Sequence, residues 1–154
     1  MLAKEAGAIK QKRGQADLRA FWKYAHSVKT MTENERIAKI SKGVNVQVAL
    51  SLRGVFGMDL SHWSQLIAGS ESTIERRKRE KKPLDLVSSE RLDRVASMAN
   101  LAVEVFESEF EAARWMATPN ELLGGNTPLM QCATEIGANQ VRRMLHAIEW
   151  GGVA

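Results

Sequence analysis

Cysteine, proline and long apolar runs are all scarce in this sequence. The 154 residues include one cysteine, Cys132, and three prolines. A single cysteine excludes an internal disulfide bond and is typical of a reducing compartment. No apolar stretch approaches the roughly 20 residues that a membrane-spanning helix needs, and the amino end lacks the apolar segment of a signal peptide. We therefore expect a cytoplasmic protein that makes no contact with a membrane.

The side chains that form catalytic and metal sites are also sparse. His26, His62 and His146 are far apart, and no Cys/His pair has the spacing of a zinc site. Gly124-Gly125 does not follow a strand, which is the context of a phosphate-binding glycine loop. We expect no enzyme and no bound cofactor or metal ion, with Cys132 as a small core residue.

Apolar residues, which make up 44% of the chain, recur at helical spacing along most of its length. No stretch shows the strict alternation of a half-buried strand. The pattern predicts an all-α protein: a helix-turn-helix bundle followed by a small helical domain. A chain of this length can bury one core or two small ones.

Positive and negative charges are concentrated in different halves of the chain. Residues 1–82 contain 17 Lys/Arg and 8 Asp/Glu, a balance of +9, whereas residues 83–154 contain 5 and 10, a balance of −5. A basic half suits phosphate groups, which an acidic half would repel. The asymmetry therefore indicates two partners of opposite character.

The stretch 60–82 has the pattern of a helix, a tight turn and a second helix. Trp63, Leu66 and Ile67 stand at i, i+3 and i+4 and form one apolar face. The face ends at residues 68–70, where we expect Gly69 to bend the chain, although Ala68 stands where glycine is more usual in a helix-turn-helix.

The second helix of this pattern is predicted to begin at Ser70, with Ser72 as a second capping option. It contains the basic run of residues 76–82 and is expected to continue to Pro83, over roughly 18 Å. Basic runs are often solvated helix faces. A basic run on the second helix of a helix-turn-helix instead favours contact with DNA. The predicted DNA-binding residues are Ser70, Ser72, Thr73, Arg76, Arg77 and Arg79.

The first 57 residues contain three further helical patterns. A stripe over residues 18–28 is predicted to be a packing or dimer face, formed by Leu18, Phe21, Trp22, Ala25 and Val28. Thr32 and Glu35 form a capping box for a helix that ends at Gly43. The apolar residues between positions 44 and 56 predict a third helix, which ends at Gly57.

The second half of the chain predicts three more helices. The longest is expected to be capped by Ser88 or Ser89 and to continue through Ala113. Thr127-Pro128 is expected to open another helix that ends at Gly137, and a last helix is expected to stop at Gly151-Gly152. We divide the chain into a basic helical segment (1–42), a helix-turn-helix domain (43–87) and a C-terminal domain (88–154).

Four motifs in the C-terminal half resemble the toxin-binding domain of Xre-type antitoxins, the partners of RES-domain toxins. They are Trp115 with Thr118-Pro119-Asn120, then Leu123-Gly124-Gly125-x-Thr127-Pro128-Leu129, then Thr134-Glu135-x-Gly137, and Ile148-Glu149-x-Gly151. Upstream, Ser89-Glu90-Arg91-Leu92-x-Arg94-Val95-Ala96 resembles the family's linker helix, and Arg76-Arg77 the basic end of its recognition helix. The resemblance extends from about Gly43 to Gly152.

This resemblance implies a cytoplasmic antitoxin that silences an ADP-ribosyltransferase-like, NAD-depleting toxin. Many members of the family also bind their own operator DNA, as dimers or larger assemblies, and repress transcription. For this chain the resemblance implies a homodimer within a larger toxin–antitoxin assembly. The toxin-binding residues that the resemblance and the chemistry of interfaces suggest are Trp115, Asn120, Gly124, Gly125, Arg142, Glu149, Trp150, Gly151 and Ala154.

Two alternatives remain open from the sequence. Core packing is the favoured alternative for Trp115. The whole chain is also consistent with a stand-alone helix-turn-helix transcriptional regulator, whose C-terminal domain would dimerise or sense a ligand.

Overall fold

The structure, a computed structural model, describes residues 18–151, and all regular secondary structure in that range is helical. This confirms the all-α prediction. Within the range, no helix is both long enough and apolar enough to cross a membrane. The helices are α1 (18–30), α2 (Glu33–Lys42), α3 (Val46–Phe56), α4 (Leu60–Ile67), α5 (Glu71–Arg79), α6 (Leu86–Phe106), α7 (Glu109–Met116), a 3-10 turn (Glu121–Leu123), α8 (Pro128–Gln131) and α9 (Glu135–Glu149).

The apolar stripe of α1 packs inside the chain. The ring of Phe21 meets that of Phe56 edge-on at 5.4 Å, and the backbone N–H of Phe21 donates to Ser51 Oγ at 2.9 Å. On the opposite side, Asn100 Nδ2 of α6 donates to the carbonyl of Ala25 at 2.7 Å. Of the two alternatives for this stripe, intramolecular packing is therefore the one that the structure shows.

The predicted boundaries of α2 are confirmed. The Glu35 backbone N–H donates to Thr32 Oγ1 at 3.2 Å, and the Thr32 N–H donates to Glu35 Oε2 at 2.8 Å, which completes the capping box. The helix ends at Gly43, whose φ of 101° suits glycine.

The longest predicted helix is in fact two helices. Its first turn is capped by Asp85, whose Oδ1 accepts from the Ser88 N–H at 2.8 Å, and not by Ser88 or Ser89. The helix stops at Phe106, because Glu107 is left-handed (φ 55°) and Ser108 caps α7. The apolar spacing continues across this break, which is why periodicity alone did not find it.

Helix α6 packs against helices from both halves of the chain through two adjacent charged residues. Asp93, which is 7% exposed, accepts from Arg36 of α2 at 3.1 and 2.6 Å. Arg94 donates to Glu90 at 2.7 and 2.8 Å and to the Cys132 carbonyl at 3.0 Å. The predicted domain limits at residues 42 and 87 stay predictions.

The helix that Thr127-Pro128 was expected to open is much shorter than predicted. Thr127 does cap it, but α8 ends at Gln131, and Gly137 lies in the first turn of α9 instead of at a helix end. Thr134 caps α9 by accepting from the Gly137 N–H at 3.0 Å. A Cβ at Gly137 would be 1.9 Å from the Gln131 carbonyl oxygen, so glycine allows α9 to start directly against α8.

We expect Gly137→Ala to lower the free energy of unfolding by about 1–3 kcal/mol, because the added methyl group would collide with the backbone of Gln131, which then has to move. Gly54→Ala is the matched control: its new Cβ is 3.7 Å from Leu18, an ordinary contact, and alanine should stabilise α3 by about 1 kcal/mol. Urea unfolding followed by circular dichroism measures both. Equal effects of the two substitutions would contradict this role of Gly137.

Candidate functional site

Helix α4 is anchored by its apolar face to the helix before it. Trp63, Leu66 and Ile67 are buried, as their spacing predicted, and Trp63 Nε1 donates to the Ala49 carbonyl of α3 at 2.7 Å. Asp59 caps the helix by accepting from the His62 N–H at 2.8 Å. α4 is therefore fixed against α3, and α3 also packs against α5.

The turn between α4 and α5 bends at Ala68 and not at Gly69 as predicted. Ala68 has a φ of 54°, in the left-handed region that costs a residue with a Cβ roughly 1–2 kcal/mol. Gly69 does not have a positive φ, and a Cβ there would be 3.4 Å from Ile74 Cδ1. The left-handed residue of this turn is therefore a strained alanine, and not the glycine that follows it.

Helix α5 begins where the sequence predicted but ends earlier. Ser70 caps it, with the Thr73 N–H donating to Ser70 Oγ at 3.2 Å. It ends at Arg79 because Lys81 is left-handed (φ 54°) and the Lys82 N–H turns back to the Arg77 carbonyl at 2.9 Å. The helix has nine residues and is about 14 Å long, shorter than the predicted 18 Å.

The six predicted DNA-binding residues differ in the exposure of their side chains and in the hydrogen bonds that these make within the chain. Ser72, Arg76 and Arg79 are exposed and, at i, i+4 and i+7, share the face of α5 opposite the buried Ile74. Ser70 Oγ is engaged in the cap, and Thr73 and Arg77 are half-buried. Arg77 Nη1 donates to the Pro83 carbonyl at 2.7 Å, so this arginine also holds the chain after α5.

Two lysines that the sequence analysis did not single out lie beside the carboxyl end of α5. Lys39 and Lys42, from the last turn of α2, line the same cleft as Lys78. Their position just before Gly43 was visible in the sequence, but which helix end they would approach depends on the tertiary fold.

Asn120 organises the loop that contains Gly124 and Gly125. Its Oδ1 accepts from the Leu122 N–H, and its carbonyl accepts from the N–H groups of Leu123 and Gly125, all at 3.0 Å. Gly124 and Gly125 have φ values of 66° and 86° and are exposed, with no atom within 4 Å of a Cβ placed on either. The two glycines therefore leave the backbone of this loop exposed at the surface.

Trp115 packs against a neighbouring aromatic residue while remaining half-buried. Its ring lies 5.7 Å from that of Phe106, at 42°. One side of the ring therefore packs within the chain, as the core-packing alternative requires, and the other is exposed. The toxin contact of Trp115 stays a prediction.

The end of α9 is exposed and ends in a tryptophan. Trp150 is 85% exposed, Glu149 lies 3.6 Å from His146, and Gly151 has a φ of 82°. Arg142, farther back on the helix, is half-buried and donates to Asn139 Oδ1. Ala154 lies outside the described residues.

The glycine loop and the carboxyl end of α9, two of the predicted toxin-binding regions, lie apart along this helix. The glycine loop is linked through Asn126 to Gln131, which donates to Gln140 in the first half of α9. Trp150 is ten residues farther along, about 15 Å at the rise of an α-helix. A partner that touches both groups must extend along α9.

Among the described residues, no group of three His, Cys, Asp or Glu side chains is arranged to hold a metal ion. Burial raises the pKa of the Cys132 thiol to about 12, so the thiol is protonated at neutral pH. Its Sγ donates to the Pro128 carbonyl at 3.4 Å, which fits the predicted place of Cys132 in the core.

Two protein families match successive parts of the chain. Residues 35–97 match the antitoxin Xre-like helix-turn-helix domain, and residues 101–151 match the antitoxin Xre/MbcA/ParS C-terminal toxin-binding domain. The chain is also 35% identical over 79 residues to Antitoxin Xre of Pseudomonas putida. That match covers 51% of this chain and 50% of the relative, so the similarity spans about half of the curated protein.

We expect Ala68→Gly to raise the free energy of unfolding by about 1 kcal/mol, because glycine removes the left-handed strain of this helix end. Ala117→Gly is the control, since Ala117 ends α7 in the right-handed region (φ −91°) and gains nothing from glycine. Thermal and urea unfolding compare the two variants. A lower stability of Ala68→Gly would show that the left-handed turn is not strained.

Proposed function

Because the chain belongs to the Xre-type antitoxins, we propose that it binds and silences a RES-domain toxin that depletes NAD. We further propose that it represses the operon encoding both proteins and acts in the cytoplasm as a homodimer within a larger toxin–antitoxin assembly. The presence of a helix-turn-helix domain and a toxin-binding domain in one chain supports both parts of this proposal.

The exposed indole of Trp150 is the single observation that most supports the toxin-binding part. An aromatic side chain that is 85% exposed at a helix end has little packing to lose within its own chain. Burying a tryptophan at an interface removes about 150–250 Å² from water, and such anchors commonly contribute about 2–4 kcal/mol to binding. Because Gly151 follows directly, backbone can approach the partner closely beside the ring.

We propose that this end of α9 lies at or near the NAD cleft of the toxin and obstructs it. Trp150 would fill an apolar site on the toxin, while Glu149 at the polar rim would fix its orientation. The glycine loop would contact the toxin through main-chain groups, since Gly124 and Gly125 carry no side chains.

The exposed face of α5 supports the DNA-binding part. Ser72, Arg76 and Arg79 share that face, and the cap at Ser70 fixes the amino end, where base edges are usually read. In this arrangement Arg76 and Arg79 bind phosphates or base edges, while Arg77 holds the carbonyl of Pro83.

We expect Trp150→Ala to weaken toxin binding by roughly 30- to 1000-fold and to restore growth arrest when the toxin is co-expressed. Ile136→Ala is the matched control, because Ile136 is 78% exposed at the other end of the same helix. Cell growth and intracellular NAD measure the outcome.

Deleting residues 149–154 should release the toxin in the same way while leaving operator binding intact. Full neutralisation by both altered chains would contradict this placement.

We expect Arg76→Gln with Arg79→Gln to weaken operator binding and to flatten its salt dependence. The slope should fall by up to about 1.8, which is about 0.9 for each phosphate that an arginine no longer neutralises. Arg114→Gln with Arg143→Gln removes the same charge from the C-terminal domain and serves as the control. Fluorescence anisotropy against salt concentration measures the slope. An unchanged affinity and slope in the α5 variant would mean that this face does not touch DNA.

A further inference from the structure

A cleft of about 500 Å³ lies between the carboxyl ends of α2 and α5 and the beginning of α3. No described residue that lines it is acidic, and its cationic side chains come from two different helices and the turn after α5. These residues are Lys39, Lys42, Arg77, Lys78, Lys81 and Lys82.

Most of these cations lack a nearby carboxylate. Lys82 lies 3.4 Å from Glu80, but within the part of the chain that the structure describes no carboxylate is within 4 Å of Lys39, Lys42, Lys78 or Lys81. Like charges gathered around one cleft repel each other, and a bound polyanion would relieve that repulsion.

The walls of the cleft are fixed relative to each other. Gly43 approaches the segment after α5 so closely that a Cβ would be 2.7 Å from the Leu84 carbonyl oxygen. The Leu84 N–H donates to the Val44 carbonyl at 2.9 Å, and the Val44 N–H donates to Ser89 Oγ at 2.9 Å. The lysines of α2 therefore keep a constant position beside the end of α5.

We propose that this cleft binds the phosphate backbone of duplex DNA beside the groove that α5 enters, an inference that rests on the proposed DNA-binding role of α5. The amino end of such a helix reads base edges in a major groove about 12 Å wide. A helix of about 14 Å therefore brings its carboxyl end to the flanking phosphates. Lys39 and Lys42 extend this contact beyond the helix-turn-helix itself.

The contact carries no sequence information, because phosphates are the same at every base pair. Lys39→Gln with Lys42→Gln should therefore lower affinity for a random duplex of about 24 base pairs and for the upstream operator region by the same factor. The slope of log affinity against log NaCl concentration should fall by about 1.8 on both duplexes.

Lys23→Gln with Lys29→Gln, on exposed positions of α1, is the control for net charge and should leave most of that slope in place. An unchanged slope in the Lys39/Lys42 variant, or an equal fall in the α1 control, would overturn the proposal.

Lys81→Gly separates loss of charge from loss of folding. Lys81 is left-handed (φ 54°), so glycine should raise the melting temperature while removing one cation, and the salt slope should fall by about 0.9. Ala68→Gly relieves the same kind of strain without a change of charge and should keep the wild-type slope. A more stable Lys81→Gly chain with the wild-type slope would exclude Lys81 from phosphate contact.

Comparing the random and upstream duplexes also tests phosphate binding by the cleft separately from repression of a specific operator. If the unaltered chain binds the upstream and random duplexes equally, repression of a specific operator is refuted, and the slope on random DNA still tests the cleft. If the chain binds neither duplex, both proposals fail.

Discussion

An ion pair and a hydrogen bond, made by two neighbouring residues of α6, connect this helix to both functional parts of the chain. Asp93 binds Arg36 of α2, while Arg94 reaches the Cys132 carbonyl at the end of α8. Asp93 is only 7% exposed, so loss of Arg36 would leave a nearly buried carboxylate without its partner. One helix therefore fixes the positions of the DNA-binding and toxin-binding domains.

The two surfaces differ in how they are suited to bind. Around α5 the exposed cations outnumber the exposed carboxylates, which favours a sequence-tolerant contact with phosphates supplemented by a few base contacts. In the C-terminal domain the exposed groups include an indole and bare glycine backbone, which favour close packing against a protein. Neither surface, in the described residues, gathers the side chains of a metal site.

Local signals predicted the helices and their amino ends better than they predicted the breaks. The Thr32–Glu35 box, the Ser70 cap and Thr127-Pro128 are all present, because a cap depends on residues within one turn. The break at Glu107 and the early end of α5 both depend on a non-glycine residue in the left-handed region, which composition does not signal. The role of Gly137 depends on its contact with Gln131. The approach of Lys39 to α5 depends on tertiary packing. Neither could therefore be predicted from local sequence.

As the proposed antitoxin, this chain has to stop NAD consumption by binding the toxin directly. The most direct test is to titrate the purified chain against a fixed amount of the purified toxin from the adjacent gene while following NAD. We predict that NAD loss falls linearly with added chain and ceases at a defined molar ratio. Undiminished NAD loss in the presence of a large excess of folded chain would contradict the account.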